Sequence, residues 1–206
     1  MSAFTEAIMV EAHRATIPLG LAWLETHNHG EVLYRRFLYR LCKMAGVKVA
    51  IEIGIMEGIT TLHLAAAVER AVIGVDIDIT QGGIADNSQA WRTVCTSQVS
   101  LVKGDSTSEA TVDEVARILL NYGGKADLLY IDSLHQAKQA TREWELYRHL
   151  LTPGALVVMD DIKDPPEMYP VFKSIPGEHL EFDWLHEASR YRGGITTVGF
   201  GLIILD

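Results

Sequence analysis

The sequence has little of what disulfide-rich and nucleic-acid-binding proteins are built from. Among 206 residues there are two cysteines, Cys42 and Cys95. Neither lies in a metal-ligand spacing, so neither a disulfide framework nor a zinc site is indicated. Basic residues are outnumbered, with 18 Lys and Arg against 27 Asp and Glu and a formal net charge of −9. Such a surface repels a polyanion, so DNA and RNA are not expected as partners.

No targeting segment is expected from the sequence, which also shows no long apolar run. The N-terminal stretch MSAFTEAIMVEAHR carries Glu6 and Glu11 and has neither a basic lead nor an apolar run, so it does not read as a signal peptide. No later run is long enough to span a membrane. We therefore expect a protein of the reducing cytoplasm, without a membrane partner and with its oligomeric state open, a homo-oligomer included. With 48% hydrophobic residues, the chain suits one domain with a sizeable core.

From Val47 onward, apolar β-branched runs alternate with amphipathic stretches. This alternation is typical of β-α units that wind a mostly parallel sheet with helices on both faces, a Rossmann-like doubly wound α/β fold. Strands are predicted in VKVAIEIG, AVIGVDID, VSLVKGD, ADLLYID and GALVVMDD, and their apolar character predicts burial on both faces. Helices are predicted in ITTLHLAAAVER, DNSQAWRTVCTS, SEATVDEVARILLNY and QAKQATREWELYRHLL, the third capped by Ser108.

The two ends of the chain depart from this alternation. Residues 1–45 are mostly helical in pattern and predict a cap or lid outside the wound sheet, within a single domain (1–206) whose core is 46–206. The C-terminal stretch has two strand-like runs around a Gly193-Gly194 turn signal, which predicts an antiparallel hairpin. The expected sheet therefore has seven strands and is mostly parallel, with an antiparallel C-terminal edge.

Acidic residues stand at the ends of all five predicted parallel strands. A single acid there indicates only a turn or a helix cap. Ligands of such sheets bind beyond the carboxyl ends of the strands, so a succession of acids on that rim indicates a site. The residues are Glu52, Asp76 with Asp78, Asp105, Asp132, and Asp160 with Asp161.

The stretch IEIGIMEGITTL, residues 51–62, predicts a nucleotide-binding turn of an unusual kind. A dinucleotide fingerprint requires glycine at positions 54, 56 and 59, where this chain has Gly54, Met56 and Ile59. What remains is a Gly-x-x-x-Gly turn, from Gly54 to Gly58, that leads into a helix whose amino end offers free N–H groups. A ligand without a pyrophosphate close to the turn has less need of the middle glycine.

The acids of the next two strands fit the rest of a nucleoside. Asp76 is placed to accept hydrogen bonds from ribose hydroxyls. Asp105 and Ser106, which follow the third strand, are placed to address an adenine amino group. The alternative is that the glycines serve turn geometry alone and that the acids are solvated caps.

These features resemble class I S-adenosylmethionine-dependent methyltransferases. The matching segments are EIGIMEGIT, the VD at 75–76, the GDS at 104–106, LTPGA and the FGLIIL ending. The turn is similar to that of catechol O-methyltransferase and its metal-dependent relatives, which also lack the middle glycine. The match covers Val47 to Asp206, and by analogy the first ~45 residues would be the variable substrate lid.

The resemblance implies S-adenosyl-L-methionine as the cofactor and assigns residues to its parts. Glu52, Gly54 and Gly58 would line its methionine part, Asp76 would hold the ribose, and Asp105 and Ser106 would flank the adenine. The complete set of predicted cofactor-binding residues is Glu52, Gly54, Met56, Gly58, Thr60, Asp76, Asp105, Ser106 and Asp132.

A second group of acids predicts a metal site. YIDSLH and VVMDDI place Asp132 at one strand end and Asp160 and Asp161 at the next. Three carboxylates at close range repel one another unless a cation lies between them. Oxygen ligands select Mg²⁺, Mn²⁺ or Ca²⁺ over zinc, and Mg²⁺ is the default. The alternative is that Asp160 only caps or bonds a neighbouring loop.

The segments IDSLH and MDDI are similar to the metal-dependent small-molecule methyltransferases. They look closest to the branch with macrolide-sugar O-methyltransferases and cephalosporin hydroxylase-like proteins. Those relatives often have Glu or Asn at one position of the second pair, where this chain has Asp160 and Asp161.

His135 is predicted to be the general base that accepts a proton from the acceptor hydroxyl. It follows Asp132 by three residues, and an imidazole titrates near working pH. By resemblance, the macrolide-sugar enzymes have a histidine at this offset and catechol O-methyltransferase a lysine. The alternative is a histidine that caps a helix or bonds Asp132.

The predicted function is methyl transfer to a hydroxyl of a small molecule, a sugar or a phenol of a natural product. Two other interpretations stay open. An aminopropyltransferase uses a similar fold, although a metal cluster has no task there. A non-catalytic or differently catalytic S-adenosylmethionine-binding protein of the cephalosporin hydroxylase-like group is the third.

Overall fold

The computed structural model describes residues 33–79, 97–182 and 199–206. Within these ranges seven strands form one sheet. The strands are β1 (Val49–Ile53), β2 (Ala71–Asp76), β3 (Gln98–Lys103), β4 (Ala126–Ile131), β5 (Leu151–Met159), β6 (Glu178–Glu181) and β7 (Gly201–Ile204). The helices are α1 (Leu33–Ala45), α2 (Ile59–Ala67), α3 (Glu109–Leu119), α4 (Ala137–Tyr147) and α5 (Met168–Ser174). Short 3₁₀ turns, Leu120–Tyr122 and Arg148–Leu150, extend α3 and α4.

The sheet has the predicted mixed topology. Its order is β3-β2-β1-β4-β5-β7-β6. The first five strands in this order run parallel, β7 pairs antiparallel with β5, and β6 pairs antiparallel with β7. The winding therefore reverses between β1 and β4, which is where ligands of open α/β sheets bind.

Helices cover both faces of this sheet, as the doubly wound pattern predicts. Alternate residues of β1 show it: Ile51 packs with buried residues of α3, α4 and α5. Ala50 packs instead with α1 and α2. The period-2 alternation of strand side chains produces this division. The five parallel strands β1–β5 therefore lie between two helical layers, with their carboxyl ends at one edge of the sheet.

Helix α1 lies inside the segment for which a lid is predicted. Its helical state is as predicted, but its apolar face is packed against the sheet, with Phe37, Leu38 and Leu41 fully buried. Phe37 contacts Phe182 and Phe200, with ring centroids 4.7 and 5.7 Å apart. This part of the segment is a layer of the core, and the role of a lid over the substrate stays a prediction.

The burial predicted for one strand differs from the structure, and the predicted cap of α3 is confirmed in position only. The edge strand β3 is buried only at Val102 among its six residues, and within the described ranges it has a strand neighbour on one side alone. Ser108 occupies the N-cap position of α3 without a hydrogen bond from its side chain, and its carbonyl oxygen accepts the N–H groups of Thr111 and Val112.

Residues 86–96 of the predicted helix DNSQAWRTVCTS and the Gly193-Gly194 turn lie outside the described residues. Of the helices given above, none is long and apolar enough to cross a membrane.

Candidate active site

The parallel hydrogen-bond ladder continues past the strands and aligns the predicted site residues. The N–H of Gly54 donates to the carbonyl of Val75 at 2.9 Å, and that of Asp132 to Ile53 at 2.8 Å. The N–H of Asp160 donates to Ile131 at 3.1 Å. Gly54, Asp132 and Asp160 thus stand in one row at the carboxyl edge of three adjacent strands.

A cleft of about 480 Å³ opens at this edge. Such a volume suits a small-molecule ligand, for which pockets of roughly 300–1,000 Å³ are usual. Six of the nine predicted cofactor-binding residues line it, namely Gly54, Met56, Asp76, Asp105, Ser106 and Asp132. The other three do not line it, namely Glu52, Gly58 and Thr60.

The glycine turn adopts a conformation that its residues explain. Gly54 and Gly58 have φ angles of 88° and 75°, in the left-handed region that glycine occupies without a steric penalty. Met56, where a dinucleotide fingerprint has glycine, also has a positive φ of 50°. Its side chain is 75% exposed and borders the cleft. The missing glycine therefore leaves a side chain over the site, in a conformation that a residue with a Cβ seldom adopts.

Asp76 holds the glycine turn in place from the neighbouring strand. Its Oδ2 accepts the N–H of Ile55 at 2.8 Å and of Met56 at 3.0 Å. Its Oδ1 accepts the N–H of Asp78 at 3.0 Å. A carboxylate has about four acceptor sites, so lone-pair capacity for a ligand hydroxyl remains. The sequence predicted the ribose contact but not this support of the turn.

Asp105 and Ser106, although adjacent, face different partners. Asp105 is exposed, and its Oδ1 accepts the side-chain and backbone donors of Thr107 at 2.7 and 2.8 Å. These hydrogen bonds lower the pKa of Asp105, so the carboxylate is charged near neutral pH. Ser106 is almost fully buried and donates to Glu143 at 2.6 Å.

Glu52 lies behind the cleft, between the sheet and helices α1 and α2. Its side chain is fully buried, and neither carboxylate oxygen has a hydrogen-bond partner within the described ranges. Burial raises the pKa of Glu52 to about 8, although the nearby Thr61 hydroxyl and Arg35 lower it in part. Thr60 is also buried and accepts from Arg35 Nε at 3.3 Å. The predicted contact of Glu52, Gly58 and Thr60 with the cofactor stays a prediction.

Asp132 and Asp160, two of the predicted metal ligands, converge on a tyrosine hydroxyl. Tyr130 Oη lies 2.9 Å from Asp132 Oδ2 and 3.3 Å from Asp160 Oδ2. A hydroxyl has one proton, so it cannot serve both carboxylates fully. Burial and repulsion from Asp160 raise the pKa of Asp132. Asp160 also accepts the N–H of Asp161, the next residue in the chain, at 3.0 Å.

His135 stands between Asp132 and the third predicted ligand, Asp161. Its Nε2 lies 3.3 Å from Asp132 Oδ1, and its Nδ1 lies 3.0 Å from Asp161 Oδ2. Burial lowers the pKa of His135, but the two carboxylates outweigh it and raise the pKa to about 10. In this arrangement the ring is an imidazolium with both nitrogens engaged. It can act as a general base, the predicted role, only after it has lost one of its two ring protons and that nitrogen is free of its carboxylate.

The carboxylate oxygens of Asp132, Asp160 and Asp161 are the kind of ligand that a hard cation prefers. The three side chains are not arranged around a common point where such a cation would bind. Across the described ranges, no group of three or more His, Cys, Asp or Glu side chains is arranged to hold a metal ion. The ring of His135 separates Asp132 from Asp161 and partly neutralises them. The repulsion between Asp132 and Asp160 is nevertheless what a divalent cation relieves. The metal site stays a prediction.

Several polar residues of the site were not predicted from the sequence. Glu143 on α4 accepts hydrogen bonds from Ser133 and Gln139 as well as from Ser106, and Ser133 and Gln139 line the cleft. The available signal was the spacing of Gln139 and Glu143, four residues apart and hence on one helix face. Tyr130 gave no signal, because it reads as one more large residue of a buried strand.

Comparison with known families supports the interpretation that this geometry suggests. A family model described as a methyltransferase domain matches residues 51–162. The matched region runs from β1 to the loop after β5 and contains every predicted site residue. It is more than half of the 206 residues, and the chain therefore belongs to this family of methyltransferases. No curated protein matches the sequence.

Solved structures share the fold at low sequence identity. A putative caffeoyl-CoA O-methyltransferase from Staphylococcus aureus has a TM-score of 0.62 and 15% identity, over 98% of this chain and 99% of that one. An O-methyltransferase from Bacillus cereus in complex with S-adenosylhomocysteine (SAH) has a TM-score of 0.60 and 15% identity, over 100% of this chain and 92% of that one. CalS11, a TDP-rhamnose 3′-O-methyltransferase of calicheamicin biosynthesis, has a TM-score of 0.54 and 18% identity, over 98% of this chain and 92% of that one. The chain has the fold of the S-adenosylmethionine-dependent methyltransferases.

Proposed function

We propose that the protein transfers the methyl group of S-adenosylmethionine to a hydroxyl oxygen of a small molecule, with Mg²⁺ or a similar divalent cation at Asp132, Asp160 and Asp161. One observation carries the proposal. In a methyltransferase-family chain, the cleft for the nucleoside and the cluster of carboxylates meet at Asp132, which lines the cleft and touches His135.

The residues of the cleft match the parts of the cofactor. The Asp76 carboxylate accepts hydrogen bonds from the ribose hydroxyls with its remaining lone pairs. Ser106 and Ser133 lie along the wall for the adenine. Gly54 lets the backbone come close to the methionine part, and Asp132 stands at the next strand end, toward the acceptor.

The reaction requires an oxygen nucleophile, a methyl group and a place for one proton. Bound S-adenosylmethionine supplies an electrophilic methyl carbon on a sulfonium sulfur. The acceptor oxygen forms a bond to that carbon as the carbon–sulfur bond breaks, which leaves SAH. His135 accepts the hydroxyl proton, and general-base catalysis of this kind contributes about 10²- to 10⁴-fold.

The metal and the base are linked through the same carboxylates. A divalent cation supplies Lewis acidity that makes a bound hydroxyl more acidic. As ligands of the cation, Asp132 and Asp161 would no longer hold the two nitrogens of His135. The ring would then lose one proton to solvent, and the nitrogen freed in this way would take the proton of the acceptor hydroxyl.

The acceptor class that we favour is the alcohol of a sugar. An aliphatic hydroxyl is less acidic than a catechol and depends more on a base such as His135. The sugar-modifying relative CalS11 shares the fold and is consistent with this choice. We infer no nucleic acid or membrane partner, and we place the enzyme in the cytoplasm as a single domain.

An acceptor screen tests the proposal. The protein is incubated with methyl-labelled S-adenosylmethionine and a panel of nucleotide sugars, glycosylated natural products and catechols, with Mg²⁺ or with a chelator. We expect label on an acceptor oxygen in the Mg²⁺ samples only. Label on nitrogen, or an equal rate after exhaustive chelation, contradicts the proposal, and transfer of an aminopropyl group indicates the alternative enzyme class.

A further inference from the structure

A buried carboxylate supports one wall of the cleft. Glu143 of α4 is fully buried and does not line the cleft. It accepts hydrogen bonds from Ser106 Oγ at 2.6 Å and from Ser133 Oγ at 2.8 and 2.9 Å. It also accepts one from Gln139 Nε2 at 3.0 Å. All three donors belong to residues that line the cleft.

This carboxylate connects loops that the sheet keeps apart. Ser106 follows β3 and Ser133 follows β4, and two strands lie between β3 and β4. Helix α4 packs on the same face of the sheet as α3. One side chain of α4 therefore fixes the relative position of both serines.

The hydrogen bonds also fix where each serine proton points. An ionised carboxylate only accepts, and a hydroxyl has one proton and two lone pairs. The hydroxyls of Ser106 and Ser133 both donate their hydrogen bond to Glu143. Toward the cleft, each serine oxygen can therefore only accept a hydrogen bond. Burial raises the pKa of Glu143, and the three donors offset part of the rise. Three converging donors are the environment that an ionised carboxylate requires.

We propose that Glu143 is a positioning residue that makes this wall selective for adenine over its deaminated counterpart, hypoxanthine. The inference rests on the proposed function, because it assumes that the cleft holds the nucleoside of the cofactor. The exocyclic amino group of adenine donates to serine oxygens. The keto oxygen of hypoxanthine meets only their lone pairs, and polar groups left unpaired in a buried site are the usual source of strong discrimination.

Calorimetric binding of SAH and of S-inosylhomocysteine tests this inference. The proteins are the wild type, Glu143→Gln and the matched control Glu145→Gln, a residue of the same helix whose side chain is 56% exposed. The amide of Glu143→Gln keeps the size of the side chain but cannot accept both serine protons on equal terms. We expect the wild type to prefer the adenosyl ligand by at least about 30-fold. This ratio should fall by about 10-fold in Glu143→Gln and stay unchanged in Glu145→Gln.

The ratio separates positioning from a merely structural role. If Glu143 only maintains the shape of the wall, its replacement should weaken the binding of both ligands equally. An unchanged ratio of the two affinities in Glu143→Gln therefore overturns the inference. If that variant does not fold, Ser106→Ala decides, because loss of one acceptor should weaken the adenosyl ligand more than the inosyl one. Equal weakening there overturns the inference, as does a wild type that binds both ligands equally. A wild type that binds neither ligand overturns the proposed function itself.

Discussion

Gly54 lies directly against the backbone of Asp132, and a Cβ built on Gly54 would stand 1.9 Å from the carbonyl oxygen of Asp132. No rotation of a side chain relieves such a contact, since both partners are main chain. The glycine that begins the Gly-x-x-x-Gly turn is thus also required for the close approach of the ends of β1 and β4. This dual role joins the fold to the site at one residue.

Replacement of Gly54 by alanine should therefore cost far more stability than loss of glycine flexibility alone. Gly46 is the matched control, since its φ is also positive, at 64°, and a Cβ there meets nothing within 4 Å. We expect Gly46→Ala to lower the free energy of unfolding by about 1 kcal/mol. Gly54→Ala should lower it by more than ~3 kcal/mol. Urea denaturation measures both, and equal losses contradict the contact.

The buried Glu52 should make the stability of the free protein depend on pH. Its pKa of about 8 in the folded state lies above the ordinary value of 4.5, so folding favours the protonated form. The free energy of unfolding should fall as pH rises from 4.5 to 8, by at most ~1.4 kcal/mol per pH unit. The contribution is complete below pH 4.5 and is lost as pH rises through about 8.

Glu52→Gln removes this ionisation, and its unfolding free energy should depend less on pH over that window than that of the wild type. Thermal and urea melts of both proteins at several pH values supply the difference. The exposed Glu145→Gln variant should keep the wild-type slope. A slope in Glu52→Gln equal to that of the wild type would show that Glu52 is already ionised in the folded protein.

Asp160→Ala should remove a metal ligand, together with the hydrogen bonds that Asp160 accepts from Tyr130 and from the N–H of Asp161. We expect turnover to fall by at least ~10²-fold while affinity for SAH stays within a few-fold, because the residue does not line the cleft. Chelation of the wild type should have the same effect and be reversed by Mg²⁺. Asp113→Ala, at an exposed position of α3, is the control. An Asp160→Ala enzyme with wild-type turnover excludes the metal role.

His135→Ala should lower turnover by ~10²- to 10⁴-fold with cofactor affinity nearly intact. The wild-type rate should also rise with pH through one ionisation that the variant lacks. His149→Ala, exposed beyond α4, should behave as the wild type. If His135→Ala turns over the true acceptor within a few-fold of wild type, His135 is not the base.

The row of strand ends was predictable because it depends on local patterns. Apolar runs locate the strands, and the rule that parallel strands share one carboxyl edge brings Asp76, Asp132 and Asp160 together. The antiparallel end of the sheet was predictable from a local pattern as well, the two strand-like runs of the C-terminal stretch. The edge position of β3 was not, because strand order depends on contacts distant in sequence.

Contacts between side chains were the part that the sequence could not supply. Glu143 lies in AKQATREWELY, a polar stretch that reads as a solvated helix, and its burial follows from where α4 meets two loops. The position of His135 near Asp132 follows from their spacing. Its second contact, with Asp161, depends on the pairing of β4 with β5.

Calorimetric titration of the wild-type protein with SAH and with NAD tests the central claim most directly. The claim is that the cleft between Gly54, Asp76 and Ser106 holds the nucleoside of S-adenosylmethionine. We predict a dissociation constant on the order of micromolar for SAH and no saturation by NAD. Binding of NAD in preference to SAH would contradict the account.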